Sequence, residues 1–319
     1  MSAPVAVVIG ASRGIGRQIA ITLAQNGYIV IVAAKSSSPT TSSTSASATT
    51  AAASFPPDPN SPASTIDTVV REIVSLGGKA HAYKVNVRSP ASITTLIQSV
   101  LETHSRIDAL IYNPGSIFWA SVIETPLKRY QLMHEVNTQG LYVTVQALLP
   151  HFYSRGTGKL VIVSPPIYSR FPRGKTAYAM TKFAMTTLML GLYHDFRRRP
   201  EFAGGVCSIW PATGIVSAAT EFTKPGSSID LRKPEIFADA VLAILQCEEV
   251  GKWNGKAWLD EDYLRELNGV KEFGAYAVTP GLEVRRIMPR KLPVLEVEEE
   301  DDEGERMNSL QLTKERSKL

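Results

Sequence analysis

Short runs of apolar residues alternate along the chain with longer stretches in which apolar positions recur every three or four residues. Val5–Ile9 is the first such run, and similar runs recur at 29–33, 81–85, 108–112, 160–163, 206–210 and 256–259. A strand with one wet face alternates apolar and polar residues, so uninterrupted runs predict strands covered on both faces. Between them the helical period predicts helices over 14–26, 65–76, 89–104, 126–149, 176–198 and 234–246. Gly77-Gly78 closes the second helix, Pro126 suits the first turn of the fourth, and Pro150 is expected to end it. Repeated strand–helix units predict an α/β fold with a doubly wound parallel sheet in three layers. No solenoid-type repeat is present.

Two regions break the pattern. In 36–63 half of the residues are Ser or Thr, five are Pro, and only Phe55 is large and apolar. Such a segment buries too little surface to offset its chain entropy, so disorder is expected there. The stretch 294–319 is a charged tail, expected to be flexible. About 265 residues remain, which suits one domain over 1–293 with an insertion rather than two domains. Charge redistributes too. The net +4 becomes a core of about +10 once the insertion (−1) and the tail (−5) are set aside. A basic core suits an anionic ligand, although scattered surface Lys and Arg give the same sum.

Composition excludes several classes. With 44% hydrophobic residues the whole chain is not disordered. No apolar run approaches the ~18–20 residues of a membrane helix, so no membrane span is expected. Two cysteines cannot make a disulfide framework, and no secretory signal is read at the N-terminus. There is no metal-binding motif, so no metal is expected. Without interleaved aromatics or a known module, no nucleic-acid role is expected either.

The chemistry concentrates in two places. The first predicted strand ends in Gly10-Ala-Ser12-Arg13-Gly14-Ile15-Gly16 and a helix follows at once. Glycines at a strand–helix junction let backbone amides approach a pyrophosphate, favoured by the helix dipole; the alternative is a plain tight turn. The second strand ends Ala33-Ala34-Lys35, without the acidic residue that holds ribose hydroxyls in NAD sites. Lys35, with Arg13, would attract a 2′-phosphate, so NADP(H) is expected in preference to NAD(H), unless Lys35 is merely solvated. The second place is Tyr178-Ala-Met-Thr-Lys182. Positions i and i+4 share a helix face, and a nearby cation lowers a phenol's pKa. A Tyr so placed can give or take a proton at a carbonyl or alcohol oxygen. Ser164 ends the fifth predicted strand, where its hydroxyl could bond the same substrate oxygen.

With Asn113 after the fourth strand and Asn137 in the following helix, these residues stand in the order and approximate spacing of the short-chain dehydrogenase/reductase family, which the chain resembles over about 5–260. The resemblance implies a Rossmann-type fold and NAD(P)(H)-dependent carbonyl/alcohol redox. It makes Tyr178 the general acid/base and gives Lys182 the nicotinamide ribose. Ser164 would orient the substrate oxygen, and Asn137 would sustain a water relay behind Lys182. Trp210-Pro-Ala-Thr-Gly-Ile215 replaces the family's usual Pro-Gly turn after the sixth strand. By resemblance Ile215 meets the nicotinamide carboxamide and Ser217 stands near the pyrophosphate. Members sharing this segment usually carry a C-terminal sterol-carrier-like domain, and none is expected in the short charged tail here. Three departures stand out. Asn113-Pro114-Gly115 replaces Asn-Ala-Gly, Asn86 stands where an Asp touches adenine, and the insertion begins beside the expected 2′-phosphate site. Relatives dimerise through the two long helices, so a homo-oligomer is expected. Their apolar residues Leu141, Val145, Leu148, Met185, Leu188 and Leu192 could equally be core.

The chain ends Ser317-Lys318-Leu319, a peroxisomal address that an import receptor reads. The expectation is therefore a peroxisomal matrix oxidoreductase acting on a lipid-like substrate, an acyl-CoA among the candidates. The rival is a catalytically silent NADP-binding scaffold or sensor.

Overall fold

The computed structural model describes residues 2–38, 54–223 and 230–297, with 309, 310 and 313. Seven strands form one sheet: β1 (Val5–Ile9), β2 (Ile29–Ala34), β3 (Lys79–Lys84), β4 (Ala109–Tyr112), β5 (Lys159–Val163), β6 (Gly205–Trp210) and β7 (Ala257–Leu259). Their order is β3-β2-β1-β4-β5-β6-β7, and every pairing is parallel. The order reverses between β1 and β4, so a crevice opens there outside the carboxyl ends of the strands.

The helices are α1 (Gly14–Gln25), α2 (Ile66–Ser75), α3 (Pro90–His104), α4 (Leu127–Met133), α5 (Gly140–Arg155), α6 (Thr176–Arg197), α7 (Ala218–Thr223), α8 (Glu235–Gln246) and α9 (Asp260–Glu266). They cover both sheet faces. Ala6 and Val8 of β1 point into a core with Ile19, Leu23, Ile73 and Phe237. Val5, Val7 and Ile9 point into the opposite core with Leu96, Leu141, Phe152 and Met189. The period-2 geometry of a strand thus feeds two cores, and that is why β1 has no polar position. The edge strand β3 departs from this: Lys79, His81, Ala82 and Lys84 are exposed. Leu141, Val145, Leu148, Met185 and Leu192 are buried in the second core, with Leu188 packed against it.

Three expectations need correction. Pro150 does not end the fourth helix, which runs on to Arg155 and stops at left-handed Gly156. The buried face through Leu148 and Phe152 outweighs the one lost backbone bond. Nor is that helix uniform, because His134–Gln139 between α4 and α5 is π-helical. Finally, the described parts of 36–63 are built into the fold rather than disordered. Asp58 accepts the Asn60 N–H (2.7 Å) and prolines flank that turn, while Gly14 N–H donates to Pro59 O at 2.9 Å. Short polar turns of this kind need no apolar core of their own. Residues 39–53 of the insertion, 224–229 beyond α7, and most of the tail including Ser317-Lys318-Leu319 lie outside the described residues.

Candidate active site

A cavity of about 730 Å³ opens at the switch point. Gly10, Ser12, Arg13, Gly14 and Ile15 line one end, with Lys35 and Asn86 from the ends of β2 and β3. Gly10 and Gly14 take left-handed φ values of +82° and +55°, which glycine adopts without steric cost. Gly16 lies beneath the turn, where a Cβ would strike the Gly10 carbonyl and come within 2.6 Å of Asn113 Nδ2. Asn113 Nδ2 itself donates to Gly10 O at 3.0 Å, locking the end of β4 to the glycine turn. Ser64 Oγ donates to Ser12 O at 2.7 Å, so the segment after the insertion braces the same turn. Arg13 Nη2 donates to Ser36 Oγ at 3.3 Å.

The other end is built by α6 and the loop after β6. Tyr178 and Lys182 are both buried and both line the cavity, as their i, i+4 spacing predicts. Lys182 Nζ donates to Val163 O at 2.8 Å and lies 5.2 Å from the centre of the Trp210 ring. Burial pushes the Lys182 ammonium down to about 7 and the Tyr178 phenol above its usual range. The expected lowering of the Tyr178 pKa by its lysine is therefore corrected. Desolvation dominates here, and the lysine's hydrogen bond goes to a backbone carbonyl instead.

Ile215 and Ser217 line the cavity, and Ser217 is tied to Thr220, whose Oγ1 accepts its N–H at 2.8 Å. Asn113 and Pro114 line it too. Besides Gly16 beneath the turn, two expected residues do not. Ser164 is fully buried away from the cavity, and its Oγ accepts a hydrogen bond from Thr186 Oγ1 at 2.9 Å. The role in orienting a substrate oxygen stays the expectation that the resemblance implies. Asn137, buried in the π-helical turn, binds the Ser116 N–H (2.8 Å) through Oδ1 and Thr181 Oγ1 (2.9 Å) through Nδ2. It clamps the segment after β4 to α6, and the widened turn aims it inward, a common use of π-helix near functional sites. A side chain on Gly115 would meet both groups, its Cβ 3.8 Å from Lys182 Nζ and 4.0 Å from Asn137 Oδ1.

Sequence reasoning missed several wall residues: Trp119, Phe171, Lys175, Trp210, Ile287 and Met288. The last two arrive from the far end of the fold, where both backbone amides donate to Ala212 O (2.9 and 3.1 Å). Only Trp210 carried a signal, as the last residue of a predicted strand. Arg13, Lys35, Arg88, Lys175 and Lys182 line the cavity, and no carboxylate does among the described residues. Those residues hold no metal-type cluster and no helix long and apolar enough to cross a membrane.

A doubly wound parallel sheet with a glycine turn at its switch point and a buried Tyr-x-x-x-Lys on the facing helix defines a class of nucleotide-dependent oxidoreductase. The short chain dehydrogenase family model matches residues 4–71 and 60–207, and the chain belongs to that family. Hydroxysteroid dehydrogenase-like protein 2 of Danio rerio is 33% identical over 278 residues, covering 86% of this chain and 60% of the relative. The Homo sapiens protein of the same name is 31% identical over 277 residues, with the same coverage of both. The chain thus spans about 60% of the length of these relatives. A solved short chain dehydrogenase from Mycobacterium thermoresistibile superposes with a TM-score of 0.73 at 30% identity, covering 89% of this chain and 93% of that one.

Proposed function

We propose that the protein is an NADP(H)-dependent oxidoreductase that interconverts a carbonyl and a hydroxyl on a lipid-like substrate. The observation that carries this reading is that Tyr178 and Lys182 line the same cavity as the glycine turn. The cradle suits a dinucleotide, since a side chain at Gly16 would fill the space under the turn. Bound NADP(H) would supply or accept the hydride. The turn Gly10–Ile15 would hold its pyrophosphate, Arg13 and Lys35 its 2′-phosphate, Lys182 its nicotinamide ribose and Ile215 its carboxamide. NADP(H) is favoured over NAD(H) because Arg13 and Lys35 line that end and, among the described residues, no carboxylate does.

Tyr178 holds the proton that the substrate oxygen takes on reduction. Its buried phenol stays protonated at neutral pH, as a general acid requires. Lys182, its ammonium pKa lowered to about 7 by burial, stands one helical turn from the phenol on the same face. The rings of Trp119, Phe171 and Trp210 in the wall suit an apolar substrate body. An acyl-CoA is one substrate that fits this description.

The engagement of the buried Ser164 hydroxyl with Thr186 favours a second reading, an NADP-binding scaffold without turnover. Titration with NADPH and NADH, followed by a panel of lipid ketones and aldehydes, separates the two. Tight NADPH binding with turnover supports the enzyme; tight binding without turnover supports the scaffold; preference for NADH removes the cofactor assignment. Peroxisomal residence, resting on Ser317-Lys318-Leu319, belongs to the same proposal. Deleting those residues from a fluorescent fusion should disperse it into the cytosol.

A further inference from the structure

We propose that Lys175 is a specificity-determining residue that receives a carboxylate on the substrate. The inference rests on the carbonyl/hydroxyl redox reading and deepens it, because it names the substrate class as an oxo or hydroxy acid with an apolar body.

Lys175 precedes the first residue of α6 and stands three residues before Tyr178. It is half-buried in the cavity wall. Its ammonium lies 4.0 Å from the centre of the Phe171 ring and 4.9 Å from that of Trp119. Both rings pack against Tyr178, with centroids 6.4 and 6.2 Å from its ring. The charge therefore stands one aromatic ring away from the phenol. Ring faces attract a cation but offer no acceptor to its three N–H donors. Among the described residues no carboxylate pairs with Lys175, and burial lowers its pKa without an opposing anion.

A charge held partly out of water and unpaired is costly in the free protein unless a ligand completes it. The other cations in the wall have other engagements. Arg88 pairs with Glu135, Lys182 donates to Val163 O, and Arg13 and Lys35 lie at the glycine-turn end. Lys175 stands near Tyr178 between two rings, Phe171 and Trp119, that supply no acceptor to its ammonium. An anion there would have its charge met by the ammonium while the rings hold the adjoining apolar carbons. This geometry selects a reacting carbonyl only a few bonds from a carboxylate.

The test compares a ten-carbon oxo acid with its methyl ester, using NADPH, in the wild type, Lys175→Met and Lys175→Arg. A charge-assisted contact predicts roughly 10-fold or more higher kcat/KM for the acid in the wild type. Lys175→Met should bring that ratio to about one by slowing the acid alone, and Lys175→Arg should keep most of it. NADPH affinity should be unchanged in both variants. Equal use of acid and ester by the wild type, equal loss of both in Lys175→Met, or weakened NADPH binding would overturn the proposal. If neither compound is turned over, the redox reading fails separately. Calorimetry of acid and ester against the NADPH-saturated protein then decides Lys175 by itself, since only wild type and Lys175→Arg should retain the acid.

Discussion

Replacing Ser164 by Ala is expected to cost stability and leave turnover nearly untouched. The Ser164 hydroxyl is fully buried and accepts from Thr186 Oγ1 at 2.9 Å, while the same Thr186 hydroxyl also reaches Pro165 O at 2.7 Å. Without Ser164 Oγ, Thr186 keeps the Pro165 acceptor, so no buried donor is left unpaired. The loss is one shared hydrogen bond and the volume of one oxygen, about 1 kcal/mol. At a urea m-value of about 2 kcal/mol/M that moves the midpoint down by roughly 0.5 M. A hydroxyl that stabilised the reacting oxygen would behave differently, costing roughly 10²–10³-fold in kcat when removed. Urea unfolding and steady-state NADPH oxidation on the same preparation separate the cases. A lowered midpoint with kcat/KM within about threefold supports the geometry. A loss of about 100-fold in kcat/KM with an unmoved midpoint would refute it and return Ser164 to the site.

Other outcomes follow from the same geometry. Gly16→Ala should abolish measurable NADPH binding and destabilise the fold by roughly 1–3 kcal/mol, because its Cβ would strike the Gly10 carbonyl as well as the Asn113 amide that locks the turn; calorimetry and thermal melts check both. Arg13→Ala and Lys35→Ala should each weaken NADPH roughly 10-fold while leaving NADH affinity nearly constant, read from the two dissociation constants. Asp260 holds the Ala212 N–H at 2.8 Å, and burial raises its carboxyl from 3.8 to about 7. Between those values the unfolded chain has released this proton and the folded chain has not, so the contribution present at low pH is lost as pH rises through about 7. Asp260→Asn should therefore raise stability by about 4 kcal/mol at pH 8 and by little near pH 4, measured by urea unfolding at both.

The sheet was legible because burial on two faces writes a strand as an unbroken apolar run. Val5–Ile9 and Ala109–Tyr112 read this way and both pair at the centre of the sheet. Tyr178 and Lys182 were legible because an i, i+4 pair shares a face whatever the rest of the fold does. The partner of Ser164 was not, since a place at a strand end fixes the backbone but not which way the hydroxyl points. Thr186, 22 residues later, decides that. The raised Tyr178 pKa was hidden for a similar reason: spacing brings the lysine near, whereas burial depends on Phe171 and Trp119 packing over the phenol. The short helices α7 and α9 span six and seven residues, too few for a period to show. Ile287 and Met288 reach the cavity through backbone bonds to Ala212 that no local pattern announces.

The central claim is that Tyr178, on the wall of an NADP(H) cavity, moves the proton in a carbonyl–alcohol interconversion. Tyr178→Phe keeps the buried ring and its packing against Trp119 and Phe171 and removes only the phenolic oxygen. Single-turnover oxidation of bound NADPH with a lipid ketone, with NADPH affinity measured in parallel, is the direct test. The account predicts affinity within about twofold of wild type and a rate lower by roughly 10²–10⁴-fold. An undiminished rate in Tyr178→Phe with tight NADPH binding would contradict it.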